Sequence, residues 1–222
     1  MFSRLELLVG EKLNNLKKSN VIIFGVGGVG GYVAEMLVRS GIGKITIVDY
    51  DVVDVTNKNR QIIALDSTIG KLKIDVLKER LLDINNECNI TAINEKLTSE
   101  NITDFNLCEF DYVIDAIDMV ASKIALIEYC YNNNVKIISS MGAGNRLGIP
   151  EFVVDDIYNT FNDGLAKVLR QRLRKLGVKS HKVVFCKNNS TYSGETIGSI
   201  AYFPAVAGCI LSAYVIEELL RG

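Results

Sequence analysis

The chain has 222 residues, 48% apolar and 23% charged, which suits one domain or one domain plus an extension with a sizeable core. A formal net charge of −1 argues against general attraction to nucleic acid or to an anionic membrane. Five cysteines, odd in number and without a CxxC pair, point away from a disulfide framework or a Cys-based zinc site and towards a reducing, cytoplasmic compartment.

The N-terminus carries no signal-peptide pattern, and residues 5–18 predict an amphipathic helix with Leu5, Leu8, Leu13 and Leu16. Residues 20–24 are a short apolar run ending in glycines, which suits a buried parallel strand. A helix over 29–39 and a strand over 44–49 follow. Residues 67–85 predict the clearest helix, since Ile69, Leu72, Val76, Leu77, Leu81 and Ile84 recur at helical spacing. Strands are expected at 90–93, 111–116 and 135–139, with a helix through Tyr131 before the last. Such alternation is the pattern of an α/β, Rossmann-like, doubly wound and mostly parallel sheet.

After Gly148 the pattern changes. A strand near 151–154, a basic helix near 164–176 and a strand near 182–186 are expected. The uncharged stretch Ile197–Ile216 is long enough to cross a membrane. Pro204, Gly208, Ser212 and two tyrosines interrupt it, so a buried C-terminal helix without stable membrane insertion is expected. With no linker or repeat, the chain reads as one unit. Residues 1–148 are its alternating, Rossmann-like part, and 149–222 form an α+β extension on the same core.

Gly25, Gly27, Gly28 and Gly30 lie between a predicted strand and a predicted helix, in a GxGxxG pattern. Glycines permit a tight turn and close approach of backbone to phosphate, and a helix N-terminus supplies unpaired N–H donors. Asp49, at the end of the second strand, is placed to accept from ribose hydroxyls. NAD and ATP fit these residues equally. Arg60 and Lys73 break the tie, together with Asp118 after the fourth strand. Cleaving a triphosphate calls for cations that neutralise developing charge and a carboxylate that holds magnesium, which a dehydrogenase does not need.

Charge is unevenly spread. Lys167, Arg170, Arg172, Arg174, Lys175, Lys179 and Lys182 occur in 16 residues without one acid, leaving 18 basic against 26 acidic residues elsewhere. This segment is an expected contact for a nucleic-acid phosphate backbone, with Leu165, Val168, Leu169, Leu173 and Leu176 turned inward. His181, the lone histidine, is expected in solvent without a catalytic role, and the cysteines in the core.

These residues resemble the superfamily of ThiF, MoeB and the ubiquitin-activating enzymes. The segment Thr56–Gln61 contributes Asn57 and Arg60, and also Asn59, to the implied nucleotide site. Arg4 matches an arginine that relatives lend to a neighbouring subunit, which implies a homodimer. Within the superfamily the chain is similar to the tRNA threonylcarbamoyladenosine dehydratase family, through Ser40–Gly43, Thr56–Gln61, Met141–Arg146, Asp156-Ile157, Leu165–Lys167, Lys182–Phe185 and Gly198–Ile200. Gly148, Gly164 and Cys186 depart from that family, which often has Asp, Pro and Ser there.

The resemblance implies ATP-dependent dehydration of threonylcarbamoyladenosine at position 37 of a tRNA, through a carboxyl-adenylate. Its cofactors are ATP and Mg2+, the latter at Asp118, and a monovalent cation (K+ or Na+) is a further expectation. Arg4, Arg60, Lys73 and Asp118 are the implied catalytic residues. One rival is an adenylating activator of a ubiquitin-like sulfur carrier, although the paired CxxC motifs common there are missing. The other is an NAD-binding oxidoreductase or a nucleotide-binding module without catalysis.

Overall fold

A computed structural model describes residues 1–192, 194 and 196–221. Two helices, α1 (Ser3–Val9) and α2 (Leu13–Lys18), stand where one over 5–18 is predicted. The break is at Gly10, whose φ of 58° and ψ of −138° suit only glycine. It also divides the leucines. Leu13 and Leu16 on α2 are buried, whereas Leu8 on α1 is 84% exposed.

β1 (Asn20–Phe24), α3 (Gly30–Arg39) and β2 (Lys44–Val48) follow as their apolar runs predict. Helix α4 spans Lys73–Ile84 and does not begin at 67. Ile69 has helical spacing, but Gly70 takes φ 83°, and residues 51–53 pair with 70–73. Gly70 N–H donates to the Val53 carbonyl, Val53 N–H to that of Lys71 and Lys73 N–H to that of Asp51, at 2.8, 2.8 and 3.0 Å. These bonds satisfy amides that a first helical turn would leave unpaired. They also set Lys73 beside Asp51.

β3 (Asn89–Ile93), β4 (Tyr112–Asp115), α5 (Val120–Asn132) and β5 (Ile137–Ser140) complete the alternating part. β5 starts two residues later than predicted. Asn134 turns left-handed (φ 56°) and Val135 N–H closes on the Cys130 carbonyl, so Val135 belongs to the end of α5.

The extension supplies β6 (Phe152–Asp156), α6 (Gly164–Lys175) and β7 (Lys182–Cys186). All seven strands form one sheet in the order β3-β2-β1-β4-β5-β7-β6, parallel except for the edge strand β6. The uncharged C-terminal stretch becomes α7 (Tyr202–Arg221), with Pro204 in its first turn, where a missing N–H costs least. Phe203, Ala207, Leu211 and Val215 recur every four residues and join the core cluster. Gly208 lets α7 approach α3, since a Cβ there would lie 2.8 Å from the Val29 carbonyl oxygen. Among the described residues, α7 is the one helix long and apolar enough to cross a membrane, and this face of it is spent on the core.

Candidate active site

A cavity of about 660 Å³ opens at the C-terminal ends of β1, β2, β4 and β5, where Phe24, Val48, Ala116 and Ser140 line it. β1 and β4 are neighbours in the sheet although far apart in the chain. That is the crevice in which open α/β sheets bind ligands.

The glycines divide the work of the βα turn. Gly25 turns at φ 84°, and a Cβ on it would lie 2.8 Å from the Ala116 carbonyl oxygen. Gly27 and Gly28 line the cavity. Gly30 does not line it but packs beneath, where a Cβ would fall 1.8 Å from the Gly25 carbonyl oxygen. Helix α3 opens without a capping side chain at Val29, so its first-turn N–H groups suit an anion.

Asp49 lines the cavity and props the glycine loop. Its Oδ2 accepts from Val26 N–H at 2.7 Å and its Oδ1 from Asp51 N–H at 2.9 Å. Lys73 does not snorkel to solvent. It is 5% exposed, lines the cavity, and donates through Nζ to Asp51 Oδ2 at 2.8 Å. Arg60 also lines the cavity, with Nη1 donating to the Thr56 carbonyl at 3.1 Å and to Asn59 Oδ1 at 2.9 Å.

Asn59 Nδ2 donates to the Ser199 carbonyl at 3.1 Å, tying this segment to the chain before α7. Asn57 is buried and does not line the cavity. Its Oδ1 accepts from Asp54 N–H in a capping box, and its carbonyl accepts from Arg60 and Gln61 N–H. It therefore shapes the turn that carries Arg60.

Asp118 is exposed at the cavity wall and is not a helix cap, a position taken by Met119. Tyr50 lines the same wall. Lost hydration and the charges of Asp51, Asp118 and Asp49 push its phenol above the usual range. Among the described residues no three His, Cys, Asp or Glu side chains converge as a metal cage. A small divalent ion here would need Asp118 and ligand phosphates together.

Arg4 lies on exposed α1 and is not among the residues lining this cavity. The basic segment is mixed. Lys167, Arg172, Lys175, Lys179 and Lys182 are exposed. Arg170 is half-buried and donates to the Thr160 carbonyl at 2.8 Å and to its hydroxyl, while Arg174 lies 5.0 Å from the Tyr158 ring. Leu169 and Leu173 turn inward as expected, but Val168 and Leu176 are exposed, and Val168 lines the cavity mouth.

Other expectations change with the fold. His181 is 5% exposed, not solvated, and burial together with the Lys123 charge lowers its pKa to about 3. Cys88, Cys130 and Cys186 are buried, whereas Cys108 and Cys209 are exposed. Burial pushes the Cys88 thiol up to about 11 and the Cys130 thiol to about 12, which keeps both protonated. Gly148 turns at φ 94°, Gly164 opens α6 and Cys186 ends β7.

Contacts of Asp51, Arg146 and Asp163 escape sequence reasoning. Asp51 is the partner of Lys73, and only the 51–53/70–73 pairing reveals it. Arg146 is 6% exposed and donates to the Asn162 carbonyl at 2.8 Å and to the Asn188 carbonyl. Beside it, Asp163 caps α6 through Ala166 N–H and accepts from Gly142 N–H on the cavity wall, at 2.8 and 2.9 Å. An Asp before a predicted helix signals a cap. Its second bond has no sequence signal.

The ThiF family profile matches residues 3–221. The tRNA threonylcarbamoyladenosine dehydratase of Bacillus subtilis is 41% identical, over 99% of this chain and 94% of that protein. The crystal structure of Escherichia coli tRNA N6-threonylcarbamoyladenosine dehydratase, TcdA, in complex with ATP superposes with a TM-score of 0.93 at 34% identity, covering 99% of this chain and 93% of that one. A molybdopterin-synthase adenylyltransferase of Haemophilus influenzae is 31% identical over 71% of this chain and 64% of that protein.

Proposed function

The chain belongs to the ThiF family and, within it, to the tRNA threonylcarbamoyladenosine dehydratases, and from that premise we propose that it uses ATP to dehydrate threonylcarbamoyladenosine in tRNA. The observation that carries this reading is the identity to the Bacillus subtilis dehydratase along nearly the full length of both chains.

The reaction starts with attack of the threonine carboxylate on the α-phosphate of ATP, expelling pyrophosphate. The acyl-adenylate is then closed by the ureido nitrogen of the same modification, which forms a five-membered ring, loses its proton and expels AMP. The attacking nitrogen is already tethered, so proximity supplies much of the rate and no protein nucleophile is needed. Gly25, Gly27, Gly28 and Gly30 let the backbone approach the phosphates, and Asp49 takes the ribose. Arg60 and Lys73 stabilise charge on the phosphates, while Asn57 and Asn59 hold Arg60 in place.

Asp118 fits a magnesium ligand, because it is an exposed carboxylate at the cavity wall that no helix end engages. When bound, Mg2+ neutralises charge on the leaving phosphates. The K+ or Na+ expectation adds no residue to this reading. Arg4 reaches ATP only from a second copy of the chain, so the working unit is a homodimer. Five free thiols suit a cytoplasmic setting.

Purified protein incubated with ATP, magnesium and tRNA bearing the modification should yield a nucleoside lighter by one water, by mass spectrometry. No loss of water, with pyrophosphate exchange only when a small carrier protein is added, would move the substrate to a sulfur carrier. The tRNA rides on the exposed cations of α6 and the turn after it. Replacing Lys167, Arg172, Lys175 and Lys179 by glutamine should weaken tRNA binding on the order of 10- to 100-fold and flatten its salt dependence by about one unit of slope per lost phosphate contact. KM for ATP should not move. An unchanged salt slope in filter binding would reduce the segment to a solvated helix face.

A further inference from the structure

Behind the cavity, four polar side chains lie buried in contact with one another, and the adenylation chemistry uses none of them. Lys123 on α5 and Asp115 at the end of β4 are both 0% exposed, with Nζ donating to Oδ2 at 2.7 Å. Ser139 Oγ donates to the same Oδ2 at 2.6 Å, and His181 Nε2 lies 2.8 Å from that Oγ. The single hydroxyl proton of Ser139 is given to the carboxylate. His181 is therefore the donor, with its proton on Nε2 and its ring neutral.

A buried ion pair is a poor device for stability alone, because desolvation offsets most of the attraction and apolar side chains of equal volume serve as well. This one supplies direction. Asp115 Oδ1 accepts from Ile117 N–H at 3.1 Å, and Lys123 Nζ also donates to the Ser140 carbonyl at 3.1 Å. Ile117 and Ser140 both line the cavity, on the β4 and β5 sides. Asp118 is the residue after Ile117, and Met141–Gly144 follow Ser140 along the wall. One network thus fixes both walls from beneath, without touching the ligand space itself.

We propose that Asp115, Lys123, Ser139 and His181 form a positioning network that aligns Asp118 and the 140–144 wall for carboxylate attack on ATP. It governs the rate of adenylation and leaves nucleotide affinity alone. The proposal rests on the dehydratase reading above, because Asp118 is its point of action.

The test uses the full chain with ATP, magnesium and modified tRNA. Asp115→Asn/Lys123→Met removes both charges at nearly constant volume, so the fold should persist with a melting temperature near that of the parent. Its kcat should fall about 10- to 100-fold, the usual effect of a small misplacement at a reacting centre, while KM for ATP stays within about twofold. Ser139→Ala, a milder change, should lower kcat in the same direction without altering KM for ATP. A folded double variant with parental kcat would overturn the proposal. If the double variant does not fold, Ser139→Ala decides, and unchanged kcat there overturns it too. Absence of turnover in the parent chain is a different failure, that of the dehydratase reading, and is recorded in the same assay.

Discussion

Lys73→Ala should give a folded protein that still binds ATP but turns over about 100- to 1,000-fold more slowly, the scale on which removing one preorganised charge stabiliser acts. The expectation follows from where the lysine sits. It is the first residue of α4, where the helix dipole repels a cation, and it is nearly buried. Both features oppose stability. Among the described residues its one ionic partner is Asp51, which is 47% exposed, so solvent screens the pair and holds its contribution to about 1 kcal/mol.

Removing the lysine therefore shifts the melting temperature by a few degrees at most, since about 1 kcal/mol moves a chain of this size by roughly 2–4 °C. A residue that breaks local rules without stabilising the fold is best explained by the ligand it serves. Single-turnover release of pyrophosphate should show the loss at the adenylation step, with ATP affinity by calorimetry reduced far less. Retention of full turnover would remove Lys73 from the chemistry.

The parts of this site that were legible in the sequence are those made by neighbours in the chain. The glycine turn, Asp49 and Asp118 each follow a short apolar strand, so their place at the end of the sheet could be derived from pattern alone. Arg60 lies on a segment whose residue types already mark a polar loop. What stayed hidden is tertiary. Helical spacing ran on through Ile69, because periodicity cannot see that Gly70 and the pairing of 51–53 with 70–73 claim those amides.

Asp51 stands between Asp49 and Asp54 in the chain, and that pairing alone sets it beside Lys73. Lys123 and His181 look like surface residues by composition, and charged side chains usually are. Their burial depends on Asp115 and Ser139, which α5, β4, β5 and the start of β7 bring together. The same holds for Arg146 and Asp163. Each of these hidden contacts joins residues that no sequence period connects.

Gly30→Ala and Gly27→Ala should separate the two duties of the glycine loop, and the first should be among the most damaging single changes in the chain. An added Cβ on Gly30 falls 1.8 Å from the Gly25 carbonyl oxygen and 3.3 Å from Ala116 Cβ. The first obstacle is backbone, so no rotamer change relieves it. The turn must open, which drags Gly25 off its own close contact with the Ala116 carbonyl and lifts α3 from the end of β4. Overpacking of this kind costs about 1–3 kcal/mol where side chains can yield, and more where they cannot.

A loss of about 3 kcal/mol lowers the melting temperature by roughly 6–12 °C in a chain of this size, and ATP binding should fail with it. Gly27 differs. Its Cβ would meet only the Gln61 side chain, Nε2 at 3.5 Å and Cδ at 3.9 Å, both ordinary contacts, so the fold should keep its melting temperature. That methyl would stand in the cavity, on the proposed path of the phosphates, and ATP affinity should drop about tenfold, because uniform binding is lost without a cost to the fold. Thermal unfolding with and without ATP reads both effects at once. If Gly27→Ala binds ATP like the parent, the phosphates do not run over this loop, and the assignment of the cavity to the nucleotide loses its main support.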